Sequence, residues 1–248
     1  MLRDRTLTWD GCVNVRDLGG HRTEDGKTTR FGEVVRADCV RRLSSQGWAA
    51  LVDYGIRTII DLRVDSELQA DPPGEVPLAA VHIPLLPDVH SPFWADIDHI
   101  RRRAASSPAG PRDVYLEFLR RYPANFARAV SAVGAAEEGG VLVHCQGGKD
   151  RTGLVCGLLL RLAGVGVDDV AADYALSAEN LARQLDESLA GTQDEEEREL
   201  TRAVFAGPPA AMKDVLEDIE RRHGSVREYL LAGGARASEL DRVRSRLV

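Results

Sequence analysis

The sequence is short of the features that cross-link, anchor or metallate many proteins. Its 248 residues contain four cysteines, Cys12, Cys39, Cys145 and Cys156, with no Cys-x-x-Cys pair and no regular spacing to histidines. That pattern excludes a disulfide framework and a zinc-finger site, and it fits reduced thiols in a cytoplasm. No metal and no cofactor is expected. Long apolar runs are missing too. The longest, Gly153 to Leu160, stops at Arg161, whereas a spanning helix needs about 20 apolar residues. The opening stretch from Met1 to Asp10 is charged and has no apolar segment of the kind a secretory signal needs. A cytoplasmic protein without integral membrane association is therefore expected, with signal-independent export left open. Nor is there an excess of positive charge. A net charge of −7 repels a nucleic-acid backbone, so no nucleic-acid partner is expected, and any anion must be attracted by a local field.

What is present suffices for a core, since 44% of the residues are hydrophobic. No repeat or low-complexity linker divides the chain, so residues 1–248 are expected to form one domain. Arg57 to Arg63 and Val141 to Cys145 read as buried strands with apolar, β-branched centres. Helices are predicted before each of them, over Ser44 to Tyr54 and Pro123 to Ala136, with Ser44 as N-cap and Gly55 and Gly139-Gly140 as stops. A buried helix is predicted over Gly153 to Ala163. The alternation gives an α/β class, with a mainly parallel central sheet flanked by helices. Ligands in such folds gather at the carboxyl ends of strands, where both Asp61 and Cys145 fall. Prolines break residues 84–123 into pieces. Helices are expected over Trp94 to Ala105 and Arg112 to Tyr122, joined by a turn over residues 106–111. The segment over about 88–122 reads either as a surface connection or as a lid over the site. The run Asp194 to Glu197 reads as a solvated helix start with no assigned function.

The chemistry concentrates in His144-Cys145-Gln146-Gly147-Gly148-Lys149-Asp150-Arg151-Thr152-Gly153. A glycine-bearing turn between an apolar strand and an apolar helix lets successive N–H groups converge at the helix N-terminus, forming an anion nest from Gln146, Gly147 and Gly148 onward. The planar fork of Arg151 suits two phosphate oxygens at once. Cys145 reads as the nucleophile that attacks phosphorus and forms a phosphocysteine, which water then hydrolyses to release inorganic phosphate. A free cysteine is only about 3% ionised at neutral pH, so full ionisation raises reactivity by about thirtyfold at most. Phosphate monoester hydrolysis demands accelerations approaching ~10²¹, so transition-state stabilisation by the nest and Arg151 must supply most of the effect. Asp150 reads as the general acid or as a helix N-cap. Lys149 reads as a rim charge that selects multiply phosphorylated substrates or as a solvated lysine. Thr152 reads as a hydroxyl donor to the Cys145 thiolate or as a first-turn polar residue. His144 reads as orienting the loop rather than acting as a base.

These residues resemble the signature of the cysteine phosphatase superfamily, in the form found in bacterial tyrosine phosphatases of the mycobacterial PtpB type. Asn14 to Gly20, Arg36-Ala37-Asp38 and the strand ending Asp61-Leu62-Arg63 are similar to further elements of that family, so the resemblance covers most of the chain. It implies a cysteine phosphatase-like fold with a helical lid. It also implies activity on phosphotyrosine-containing proteins, with phosphoserine, phosphothreonine or phosphoinositides as further substrates. The Lys149-Asp150 pair is similar to loop residues of inositide phosphatases in the superfamily. The sequence lacks a Trp-Pro-Asp loop, so Asp61, Asp88, Asp96 and Asp113 stand beside Asp150 as alternative acids. Asp61 and Arg63 read either as contacts to the loop and substrate or as a structural ion pair. Asn14, Arg16 and Asp17 read as internal supports. Arg101-Arg102-Arg103 reads as a solvated helix face or as a contact to an anionic head group. A rhodanese-like sulfurtransferase and a non-catalytic phospho-binding module are the competing classes.

Overall fold

The structure is a computed structural model that describes residues 4–72, 78–104 and 111–248. Its strands are β1 (Arg16–Asp17), β2 (Val34–Ala37), β3 (Ile56–Asp61), β4 (Ala79–His82) and β5 (Gly140–His144). They form one sheet in the order β1-β2-β5-β3-β4, parallel except for the antiparallel edge strand β1. Every residue of β5 is buried, because strands pair on both its sides and helices cover both its faces. That explains why Val141-Leu142-Val143 is uninterrupted apolar sequence rather than an alternating pattern.

The helices are α1 (Ser45–Asp53), α2 (Asp65–Ala70), α3 (Phe93–Ala104), α4 (Arg112–Arg121), α5 (Pro123–Ala135) and α6 (Asp150–Ala163). They continue with α7 (Val167–Asn180), α8 (Ala182–Ala190), α9 (Glu195–Ala206), α10 (Pro209–His223), α11 (Val226–Ala232) and α12 (Ala237–Leu247). Ser44 caps α1 by accepting from the Gly47 amide at 3.2 Å, and Pro123 opens α5 where its missing N–H has no intrahelical partner to lose. The helices expected from sequence at 94–105 and 112–122 are α3 and α4, and the 106–110 part of the turn between them lies outside the described residues. On one sheet face Val141, Val143 and Ile60 pack with Phe126, Val130, Leu154 and Leu158. On the other, Leu142, Ile59 and Val35 pack with Trp9 and Leu51. Among the described residues no helix is long and apolar enough to cross a membrane.

Helix α6 begins at Asp150, three residues earlier than the apolar pattern predicts, with Lys149 as its N-cap. Asp150 is thus the first helical residue and not the cap, and no side chain caps this end. The apolar run marks where the helix is buried, whereas its start is set by the polar loop that precedes it.

Candidate active site

Strand β5 delivers Cys145 to the carboxyl edge of the sheet, between β2 and β3, and α6 starts five residues later. The carbonyls between them are turned outward and held one by one. Cys145 O accepts from His144 Nδ1 at 3.1 Å and Gln146 O from the Cys39 amide at 3.0 Å. Gly147 O accepts from Asn14 Nδ2 at 3.0 Å, and Gly148 O from Arg36 Nη2 at 2.9 Å. In a planar trans peptide the N–H points opposite the C=O, so pinning these carbonyls outward aims the amides of residues 146–149 into the loop. None of those amides meets a protein acceptor among the described residues. Gly148 makes the turn possible: its φ is +66°, and a Cβ there would lie 2.5 Å from the Ala37 carbonyl oxygen. The N-terminus of α6 adds its own partial positive charge to the same hollow.

A second layer holds the holders. Asn14, Arg16 and Asp17 are buried, as expected of internal supports. Asn14 Oδ1 accepts from Arg16 Nη1 at 2.8 Å, and Asp17 accepts from the amides of Gly19 and Gly32. Both Arg16 and Arg36 converge on Asp173 of α7, at 3.1 and 2.8 Å, and Arg5 joins them at 2.6 Å. Burial alone would raise the Asp173 carboxyl, but Arg16, a hydrogen bond with His21, Arg36 and Arg5 outweigh it and hold it well below the usual carboxylate range. Losing one partner of such a buried network leaves the others as uncompensated charges, which costs about 3–5 kcal/mol.

Arg151, on the first turn of α6, is gripped by Glu67 of α2 in a two-pronged pair, Nη1 to Oε2 at 2.5 Å and Nη2 to Oε1 at 2.8 Å. Burial works against the arginine's charge, yet the Glu67 pair raises its pKa further. Beside it opens a cavity of about 170 Å³. Its polar edge is Glu67, Arg101, Asp150 and Arg151. Its walls are apolar: Leu86, Trp94 of α3, Val114 and Phe118 of α4, and Leu200 and Val204 of α9. Cys145 is 3% exposed at the root of the loop.

The sequence profile of the tyrosine phosphatase family matches residues 7–248. The chain belongs to that family. It is 28% identical to a tyrosine-protein phosphatase of Nostoc commune over 86% of this chain and 73% of that protein. It is also 27% identical to the triple specificity protein phosphatase PtpB of Mycobacterium tuberculosis, over 96% of this chain and 97% of that protein. This tyrosine phosphatase is accordingly a phosphoric monoester hydrolase, and the sulfurtransferase and non-catalytic readings fall away.

Within the phosphatase, several side chains sit elsewhere than their sequence context suggests. Lys149 is neither a rim charge nor solvated. It is buried, with Nζ 2.8 Å from Asp150 Oδ1 and 3.3 Å from both Tyr115 Oη and Tyr174 Oη. Asp61 contacts neither Arg151 nor Lys149 but holds Arg63, with Nη2 to Oδ2 at 2.8 Å. The Arg63 guanidinium is buried against Asp61 and the Asp71 carbonyl, so the two form the structural ion pair. The Thr152 hydroxyl is buried without a hydrogen-bond partner among the described residues, and its bond to Cys145 is not made. Of the candidate acids, only Asp150 borders the cavity. Asp88 caps the Ser66 amide at 2.9 Å, Asp96 pairs with Arg121 at 2.7 Å, and Asp113 is exposed beside Arg112.

The basic triplet divides. Arg101 stacks over Trp94 at 5.7 Å on the cavity edge, Arg102 pairs with Glu196 of α9, and Arg103 is exposed. The acidic run does open a solvated helix, α9, whose following turns supply Leu200 and Val204 to the cavity. Glu67, Asp173, Tyr115 and Tyr174 have no reading in the sequence, and Arg36 is legible there only as part of a family-like element with no role attached. Only Glu67 leaves a local trace, because its side chain accepts from the Val64 amide at 2.8 Å, three residues back, in the manner of a helix-start glutamate.

Proposed function

We propose that this phosphatase hydrolyses phosphotyrosine through a phosphocysteine on Cys145, acting as one domain lidded by α3, α4 and α9. The observation that carries the reading is a narrow apolar cavity opening onto the loop at Asp150 and Arg151. An apolar protein cavity of about 150 Å³ accommodates a benzene ring, so a phenyl group fits this one. The hydroxyls of an inositol ring that face its apolar walls would be stripped of water without partners. Lys149, the loop cation that a second phosphate would meet, is committed to Asp150, and the other cation at the cavity edge, Arg101, is stacked on Trp94 and paired with Asp98 at 3.3 Å. Both facts favour the aryl ester over a phosphoinositide.

In the first step the Cys145 sulfur attacks phosphorus in line, the S–P bond forms, and the ester P–O bond breaks. Asp150 delivers its proton to the departing oxygen. Water then attacks phosphorus, the S–P bond breaks, and inorganic phosphate leaves as Asp150 takes up the water's proton. The amides of Gln146, Gly147, Gly148 and Lys149 and the fork of Arg151 hold the three non-bridging oxygens throughout. In the resting site Asp150 is ionised: burial alone would raise its pKa, but Lys149 and the Tyr115 hydroxyl lower it further than burial raises it. A phosphate dianion in the adjoining nest pushes that balance toward the protonated carboxyl, since a like charge nearby favours the neutral form.

The test is a panel of a phosphotyrosine peptide, a phosphoserine peptide and a phosphoinositide, run with chelator present. Burying the ring should raise kcat/KM for phosphotyrosine about 10–100-fold above the other two. Faster turnover of the phosphoinositide would sink the aryl assignment.

Glu67→Gln keeps the shape of the Arg151 clamp but removes its charge. An arginine free to swing no longer presents both nitrogens to phosphate, so kcat/KM for the phosphotyrosine peptide should fall about 10–100-fold. Inhibition by inorganic phosphate should weaken in parallel. Unchanged values of both would mean that the nest alone positions the phosphoryl group.

A further inference from the structure

Tyr115 projects from α4 into the base of the loop, where the buried side chains of Tyr115, Tyr174 and Lys149 meet the half-buried carboxylate of Asp150 at the cavity edge. Its hydroxyl is hydrogen-bonded to Asp150 Oδ1 and lies 2.7 Å from Tyr174 Oη, and Lys149 Nζ is within 3.3 Å of both hydroxyls. The proton positions follow from chemistry. An ionised carboxylate only accepts and an ammonium only donates. Tyr115 therefore donates to Asp150, Tyr174 donates to Tyr115, and Lys149 donates to both tyrosines and to Asp150. Every hydrogen bond in the cluster points toward one carboxylate.

We propose that Tyr115 is a positioning residue for the general acid: its hydroxyl fixes the orientation and the proton affinity of Asp150, and thereby ties the acid's titration to the docking of the lid helix α4. The proposal rests on the reading of Asp150 as the acid. Other groups also face Asp150. Lys149 and Arg151 approach from the loop and α6, Arg101 from α3, Glu67 through its pair with Arg151, and Tyr174 through Tyr115. Helix α9 brings only apolar groups to the shared cavity, Leu200, Ala203 and Val204. Among these neighbours Tyr115 is distinctive, because it is neutral, it donates directly to Asp150, and it sits on an element of the lid. Lys149 and Arg151 move with the loop whatever the lid does.

The sign follows directly. A hydrogen bond donated to the ionised carboxylate favours that form and lowers its pKa. Removing it raises the pKa, and an acid that must be protonated then stays active to higher pH. Tyr115→Phe keeps the ring against Tyr174, an edge contact with centroids 6.1 Å apart, and removes only the hydroxyl.

The experiment uses the full chain and two readouts: the pH profile of kcat on a phosphoserine peptide, and a carbon NMR titration of the Asp150 carboxyl. In Tyr115→Phe both the falling limb and the carboxyl midpoint should move up by about one pH unit. Tyr174→Phe removes a hydroxyl from the same cluster without touching Asp150, and should move them by less than half as much. A carboxyl midpoint in Tyr115→Phe that stays put or moves down overturns the proposal. A displaced midpoint with an unmoved rate limb leaves the Tyr115 contact standing and overturns Asp150 as the acid.

Discussion

Cys145→Ser is expected to reduce hydrolysis of the phosphotyrosine peptide by about 10⁴-fold or more, because removing a nucleophile that works as one unit with its surroundings removes nearly the whole covalent route. The substitution is close to isosteric. Cys145 lies at a strand end whose neighbours are held by backbone and side-chain hydrogen bonds rather than by its sulfur, so the melting temperature should change little. Phosphate binding should survive, since the amides of residues 146–149 and Arg151 do not depend on the thiol. Inorganic phosphate at a hundred times its Kd should therefore stabilise the variant against unfolding by about 2.7 kcal/mol, as for any ligand bound only by the native state. Retained turnover would refute the phosphocysteine route. Lost turnover together with lost phosphate binding would instead mean that the sulfur organises the nest.

Asp150→Asn is expected to have the second largest effect, and the effect should depend on the leaving group. An alkoxide leaving from phosphoserine needs a proton far more than a stabilised phenolate does. General acid catalysis is worth about 10²–10⁴-fold, so the phosphoserine rate should fall within that range while a nitrophenyl phosphate loses less than about tenfold. The comparison matters because Asp150 also neutralises the buried Lys149. Removing the carboxylate disturbs the loop, and that disturbance acts on both substrates alike. Equal losses would assign Asp150 a structural role. Its ratio between substrates isolates the proton.

Much of this architecture is legible in the order of residues. The uninterrupted Val141-Leu142-Val143 identifies a strand covered on both faces, and β5 is the centre of the sheet. Ser44 and Pro123 mark the starts of α1 and α5 because capping chemistry is local. The Cys-x5-Arg spacing between strand and helix identifies the nest because its amides belong to consecutive residues, although the side chains that turn its carbonyls outward come from far along the chain. Side-chain partners at long range are another matter. Lys149 has the composition of a surface residue, and nothing within its own turn reveals that Tyr115 and Tyr174 come to enclose it.

The sequence alone determined the class of chemistry here, since a cysteine, two glycines and an arginine on a strand-to-helix turn have few other uses for a phosphate-sized anion. Tertiary structure decided how that chemistry is controlled. Glu67 reaches Arg151 across 84 residues of chain, Arg36 reaches the Gly148 carbonyl across 112, and Tyr115 reaches Asp150 across 35. Hydrogen bonds and ion pairs of this kind depend on distances of a few ångströms between elements that only the packing of the sheet and helices brings together. Local propensity carries no record of them.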